Sequence, residues 1–130
     1  MSLHAEVASF LARFAAASER RDADAYADLF LRDPAPVVTW SDGEMAHDWL
    51  DVRVRVGRDF QRALVDRVVT HGVLAREVSD DVAVVAFDYD IHVRDLWGAT
   101  SIAARHASLT LLRTKDGWRI AAAHFSAPRR

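Results

Sequence analysis

The chain has 130 residues, 51% hydrophobic and 28% charged, with a formal net charge of −2. That is the size and balance of one globular domain spanning residues 1–130, and not of a disordered segment. The near-neutral balance argues against a nucleic-acid partner, which would call for a strongly basic face, and the absence of cysteine excludes disulfides, thiolate metal sites and a cysteine nucleophile.

Apolar residues at Leu3, Val7, Phe10, Leu11 and Phe14 form the stripe of a helix with one buried face. The polar run 18–21 breaks it, and Asp22 then caps a second helix whose stripe is Ala23, Tyr26, Ala27 and Phe30. Asp33-Pro34-Ala35-Pro36 ends that helix, because proline cannot continue it. Val37 to Trp40 is a short β-branched and aromatic strand, followed by a Ser41-Asp42-Gly43 turn. A third helix is expected from about Asp48. It puts Val52, Val56, Phe60 and Leu64 on one line and sends Asp51, Arg53, Arg55, Arg58, Asp59 and Arg62 mostly to other faces. Beyond Asp66 the period becomes alternating. Strands are expected over 67–76, 82–94, 100–113 and 118–126, with turns at Ser79-Asp80-Asp81 and Thr114-Lys115-Asp116-Gly117.

Alternation assigns faces within the strands. From 83 to 93 the odd positions are Ala83, Val85, Phe87, Tyr89, Ile91 and Val93, whereas Asp88, Asp90 and His92 alternate outward. Leu109 and Leu111 carry Arg105 onto the inner face of the next strand. In the last strand Trp118, Ile120, Ala122, His124 and Ser126 share the inner side. A charge on an apolar face needs a partner or water, and polar groups converging in an apolar setting mark a ligand pocket. Structural hydrogen bonds or a dimer interface would satisfy Arg105 and His124 equally well. Metal binding is not expected, because His4, His47, His71, His92, His106 and His124 show no ligand spacing. His47 and Asp48 read as an exposed residue and a helix cap. Ser126 lacks the motif of a nucleophile.

The order helix, helix, short strand, helix, antiparallel strands resembles the nuclear-transport-factor-2-like superfamily. The stretch "LTLLRTKDGWRIAAAHFSAP", Leu109 to Pro128, is similar to the terminal hairpin of SnoaL-like proteins and of the calcium/calmodulin-dependent kinase II association domain, and "RRDADAYADLFLRD" and "VVTW" fit the same pattern. The resemblance implies an α+β cone, three N-terminal helices packed on a strongly curved, mostly antiparallel sheet. It also implies a conical pocket and a homodimer through the outer sheet face. Members include isomerases, cyclases, dehydratases and non-catalytic assembly modules. At the position approximating a ketosteroid isomerase base this chain has Trp40, so that dyad is not reproduced.

The expectation is a small-molecule-binding SnoaL-like protein of the cofactor-independent acid–base type, with an oligomerisation module as the alternative. His124 and Arg105 form its expected polar centre, and Tyr26, Trp40, Phe60, Tyr89 and Ser126 line the pocket. The ligand is a small organic, anionic molecule, and no cofactor is expected. No apolar run reaches the roughly 18 residues of a membrane span, and His4, Glu6 and Arg13 interrupt the N-terminal stretch, so a cytoplasmic protein without membrane contact is expected.

Overall fold

The computed structural model describes residues 2–128. Helix α1 (Leu3–Glu19) starts at Ser2, whose hydroxyl accepts from the Ala5 amide. Helix α2 (Ala23–Ala27) is short and is capped by Asp22. Strands β1 (Val37–Thr39) and β2 (Met45–Ala46) form a small hairpin around the expected 41–43 turn. Helix α3 (Trp49–Arg62) is capped by Asp48, which accepts from the Asp51 amide at 2.7 Å. Strands β3 (Leu64–Ser79), β4 (Val82–Arg94), β5 (Thr100–Thr114) and β6 (Gly117–Ser126) complete the chain.

The sheet order is β2-β1-β6-β5-β4-β3, antiparallel throughout except for the β1–β6 pair. It is the curved, mostly antiparallel sheet of a cone with helices at the N-terminal side. Two expected positions move. Phe30 lies beyond the end of α2, which stops at Ala27, and instead forms a β-bridge with Ile120. Leu64 does not continue the α3 line, because Ala63 already has extended backbone (φ −127°, ψ 129°) and Leu64 opens β3, where it pairs with Arg94.

The core lies between α1 and the inner face of the sheet. Phe14 is its centre, with ring centroids 5.5 Å from Tyr26, 5.7 Å from Phe87 and 5.5 Å from Tyr89. The odd positions of β4 from Ala83 to Tyr89 are buried, as alternation requires. Glu19 accepts from the Val68 amide at 3.0 Å, tying the end of α1 to the edge strand β3. The chain between α2 and β1 is held by backbone bonds between Leu29, Leu31 and Ile120. No helix among the described residues is long and apolar enough to cross a membrane.

The first turn of α1 is pinned to the β5–β6 hairpin. Glu6 accepts from the Trp118 indole at 2.7 Å and from Arg113 at 3.2 Å, and the Arg113 guanidinium lies over the Trp118 ring. The Trp118 hydrogen bond first, and Arg113 after it, hold the Glu6 carboxyl below its usual value. A group depressed in the folded state contributes stability above its unfolded pKa and loses it as pH falls through the folded value. Glu6→Gln is therefore expected to lower the urea midpoint at neutral pH, and the gap from the unsubstituted protein should narrow as pH falls below the carboxylate range. A gap independent of pH would contradict this role.

Candidate functional site

Between the inner face of the sheet and the three helices lies a cavity of about 360 Å³. Phe14, Val68 and Phe125 give it apolar walls, and Ser41, Arg55, Asp59, Arg62 and Arg105 bring polar groups to it. Of the residues singled out from sequence, Arg105, Tyr26, Trp40, Phe60 and Tyr89 all line this space.

His124 and Ser126 do not. His124 is exposed on the outer face, in a shallow concavity with Val37, Leu74, Val84 and Ala122. Ser126 is half-buried and stands opposite His106, which also points outward. The cause is a bulge in β6. Thr110 pairs with Ala122 and Leu111 with Ile120, leaving Ala121 without a partner. One extra residue reverses the parity of everything after it. Trp118 and Ile120 are buried before the bulge, Ala123 and Phe125 after it.

Alternation in β4 and β5 is uninterrupted from Val82↔Leu112 to Arg94↔Thr100, so Arg105 faces inward beside Tyr89, its direct partner across the strands. Its one hydrogen bond among the described residues runs from Nη1 to the Ala104 carbonyl at 2.8 Å. Asp59, the acid lining the same cavity, is engaged elsewhere: Arg55 Nε donates to Asp59 Oδ2 at 2.7 Å.

Arg55 is the cavity residue that the sequence reading misplaced. Its side chain is only 11% exposed, and its guanidinium also meets Asp42 at 2.9 Å and lies 4.9 Å from the Trp40 ring centroid. Asp42 is held below the usual carboxylate value by the Glu44 amide first and by Arg55 next. Burial works against the Arg55 charge, but its bonds to Asp59 and Asp42 outweigh this and raise its pKa. A signal was present. Arg55 and Asp59 are four apart and adjoin Val56 and Phe60, so all four share one side of the helix.

Tyr26 and Tyr89 are each 7% exposed. Burial is the main cause that raises both phenols well above their ordinary pKa, with Arg105 opposing it at Tyr89. Both therefore stay protonated and uncharged at neutral pH. Outside the cavity, the acids that alternate outward along β4 meet histidines of the neighbouring strands, Asp88 with His106 and Asp90 with His71.

Residues 7–130 match the SnoaL-like domain, and the chain belongs to that family. Among curated proteins no sequence match is found. Solved structures of the same fold include a candidate calcium/calmodulin-dependent protein kinase II association domain from Xanthomonas campestris. It is 21% identical with a TM-score of 0.83, over 96% of this chain and 87% of that one. A candidate dehydratase of the nuclear-transport-factor-2-like family from Streptomyces avermitilis is 17% identical (TM-score 0.82, 96% of each chain). A ketosteroid isomerase-like protein from Erwinia carotovora atroseptica is 17% identical (TM-score 0.81, 97% of this chain and 96% of that one). At these identities the likeness establishes the cone fold.

Removing the Arg55 guanidinium would leave two carboxylates beside the Trp40 wall without their cation. Arg55→Met is expected to cost about 1–2 kcal/mol in chemical denaturation, and the loss should shrink when Asp59→Asn is added. Additive losses in this double-mutant cycle would rule out coupling between the two.

Proposed function

We propose that this chain binds a small, partly apolar organic anion in the cone cavity, with Arg105 holding its charged end. One observation carries the reading. Arg105 stands on the inner face of the sheet with no carboxylate at ion-pair distance among the described residues, while Asp59 is taken by Arg55. A guanidinium cannot lose its proton, so it needs an acceptor. A ligand carboxylate, which can take two parallel hydrogen bonds, is the strongest acceptor available to it. The aromatic walls would hold the remainder of the molecule.

The reading is one of binding. His124, expected with Arg105 to form the polar centre of the pocket, is on the other face of the sheet. The cavity carboxylate that remains, Asp59, is already ion-paired. The names of the structural neighbours point to different roles, as expected of a fold that hosts unrelated activities.

Calorimetric titration with small aromatic and aliphatic carboxylates tests the proposal. Binding to the unsubstituted protein is expected, weakened about tenfold or more in Arg105→Ala through loss of a charge-assisted pair. Equal affinity in both proteins would overturn it.

The outer sheet face supports a compatible second role, homodimer formation. Val37, Leu74, Val84 and Ile102 are all exposed there, and such an apolar face rimmed by charge suits a self-complementary contact. Sedimentation equilibrium at micromolar concentration should show a dimer, and Leu74→Glu should shift it towards monomer. A monomer before substitution would remove this reading. A larger ring that binds none of the acids would favour the assembly-module alternative.

A further inference from the structure

Arg105 is not alone in the cavity without an acid. Arg62 lines the same space, and among the described residues it too has no carboxylate at ion-pair distance. The acids that flank it in the chain are taken: Asp59 pairs with Arg55, and Asp66 with Arg94. Arg62 ends α3, and a cation in the last turn is favourable in any helix. That preference does not require it to line a cavity. Arg62 is exposed and Arg105 half-buried, so the first stands at the opening and the second further in. The register of the ladder gives the surface between them. Arg62 leads into β3, where Val65 pairs with Val93. Ile91 then pairs with Ala103, and Tyr89 with Arg105. Val65, Val93, Ile91 and Ala103 all line the cavity, so an apolar strip separates the two cations. Val93 and Tyr89 are about 13 Å apart along β4, at roughly 3.3 Å per residue.

From this arrangement, and resting on the anion reading above, we infer that the ligand carries an acidic group at each end of a short apolar chain: an α,ω-dicarboxylate with one carboxylate on Arg105 and the other on Arg62 at the opening. Both guanidiniums keep their protons, and each takes a carboxylate as its acceptor. The apolar strip covers the chain between them. Arginine side chains are long and reach inward from both ends, so a chain of a few carbons spans what is left. A cavity of about 360 Å³ is at the small end of ligand sites, which suits such a molecule. A monoacid of the same length would set a methyl end beside the Arg62 cation. Without Arg62 the balance reverses, because a second carboxylate entering this apolar setting unpaired is costly, and Asp59 on the same lining repels it. The sign of the preference between diacid and monoacid therefore reports on Arg62.

The test titrates two pairs of probes calorimetrically at neutral pH, adipate against hexanoate and suberate against octanoate. Within each pair the chain length is the same and only the far end differs. At least one diacid is expected to bind the unsubstituted protein about fivefold more tightly than its monoacid, the gain of one exposed ion pair, and the gap should narrow as salt is added. Arg62→Met should reverse the order within that pair while leaving the monoacid within about twofold. Arg62→Lys should keep most of the gap, since it keeps the charge. Arg62 is exposed and donates no hydrogen bond among the described residues, and unchanged monoacid binding verifies that the variant is intact. Arg105→Met should weaken diacid and monoacid alike. Diacids no tighter than their monoacids, or a gap that survives Arg62→Met, overturn the second anchor and leave the anion reading standing. A gap that depends on Arg62 while Arg105→Met changes nothing supports the anchor at the opening and overturns the one at Arg105. Binding of none of the four acids overturns both.

Discussion

One burial organises this molecule: the face of α1 that carries Val7, Phe10 and Phe14 must be covered by a sheet. The strands available are long, from 10 residues in β6 to 16 in β3, and a flat sheet of that length would touch a helix along only part of its width. Bending solves this, and bending needs irregularities in pairing. The ladder supplies them between Val65 and Arg67, between His71 and Leu74, and at Ala121. At the second of these Gly72 has φ +62°, and a Cβ there would lie 3.3 Å from an Asp88 oxygen. Glycine at that position is a condition of the curve. The cavity is what remains where the helices do not fill the concave side.

Charge is distributed around that cavity by the same economy. Arg32, Arg53, Arg55, Arg58, Arg94 and Arg113 each meet an aspartate or glutamate. Most of these pairs are exposed and contribute little to stability. Arg55 differs, since it is nearly buried and joins the β1–β2 turn to α3 through Asp42 and Asp59, closing one wall of the cavity. Arg55 completes the wall with its two carboxylates, whereas Arg105 faces the same cavity with no carboxylate at ion-pair distance among the described residues.

How far the sequence revealed this can be judged residue by residue. Asp22 and Asp48 announced both helix starts, because a capping carboxylate must precede the first turn. The odd positions of β4 announced its core face, and Leu109 and Leu111 announced the inward direction of Arg105, which the unbroken β4–β5 ladder then preserves. The two-residue strand β2 was too short to leave a periodic trace. The bulge was hidden by Ala121-Ala122-Ala123, three identical side chains that fit either face and so erase the alternation where it reverses. His124 and Ser126 were carried to the wrong side for that reason. Arg55 was misplaced because charged residues on a helix are ordinarily solvated, and only the tertiary approach of Asp42 makes burial of this one tolerable.

The bulge also explains how a single strand serves two surfaces. After Ala121, β6 buries Ala123 and brings Phe125 to the cavity wall, while Ala122 and His124 go to the outer face, beside Leu74 and Val84. Without the extra residue His124 would enter the core and Phe125 would meet water, so the register change keeps the cavity wall aromatic at its closed end. The outer face then collects the histidines, His71, His106 and His124, together with Asp88 and Asp90. The inner face keeps uncharged donors at Tyr26 and Tyr89 and permanent cations at Arg55 and Arg105. The imidazole–carboxylate pairs are thus separated by one strand thickness from the polar groups of the cavity, so that a change at His124 alters the outer face without touching the cavity lining.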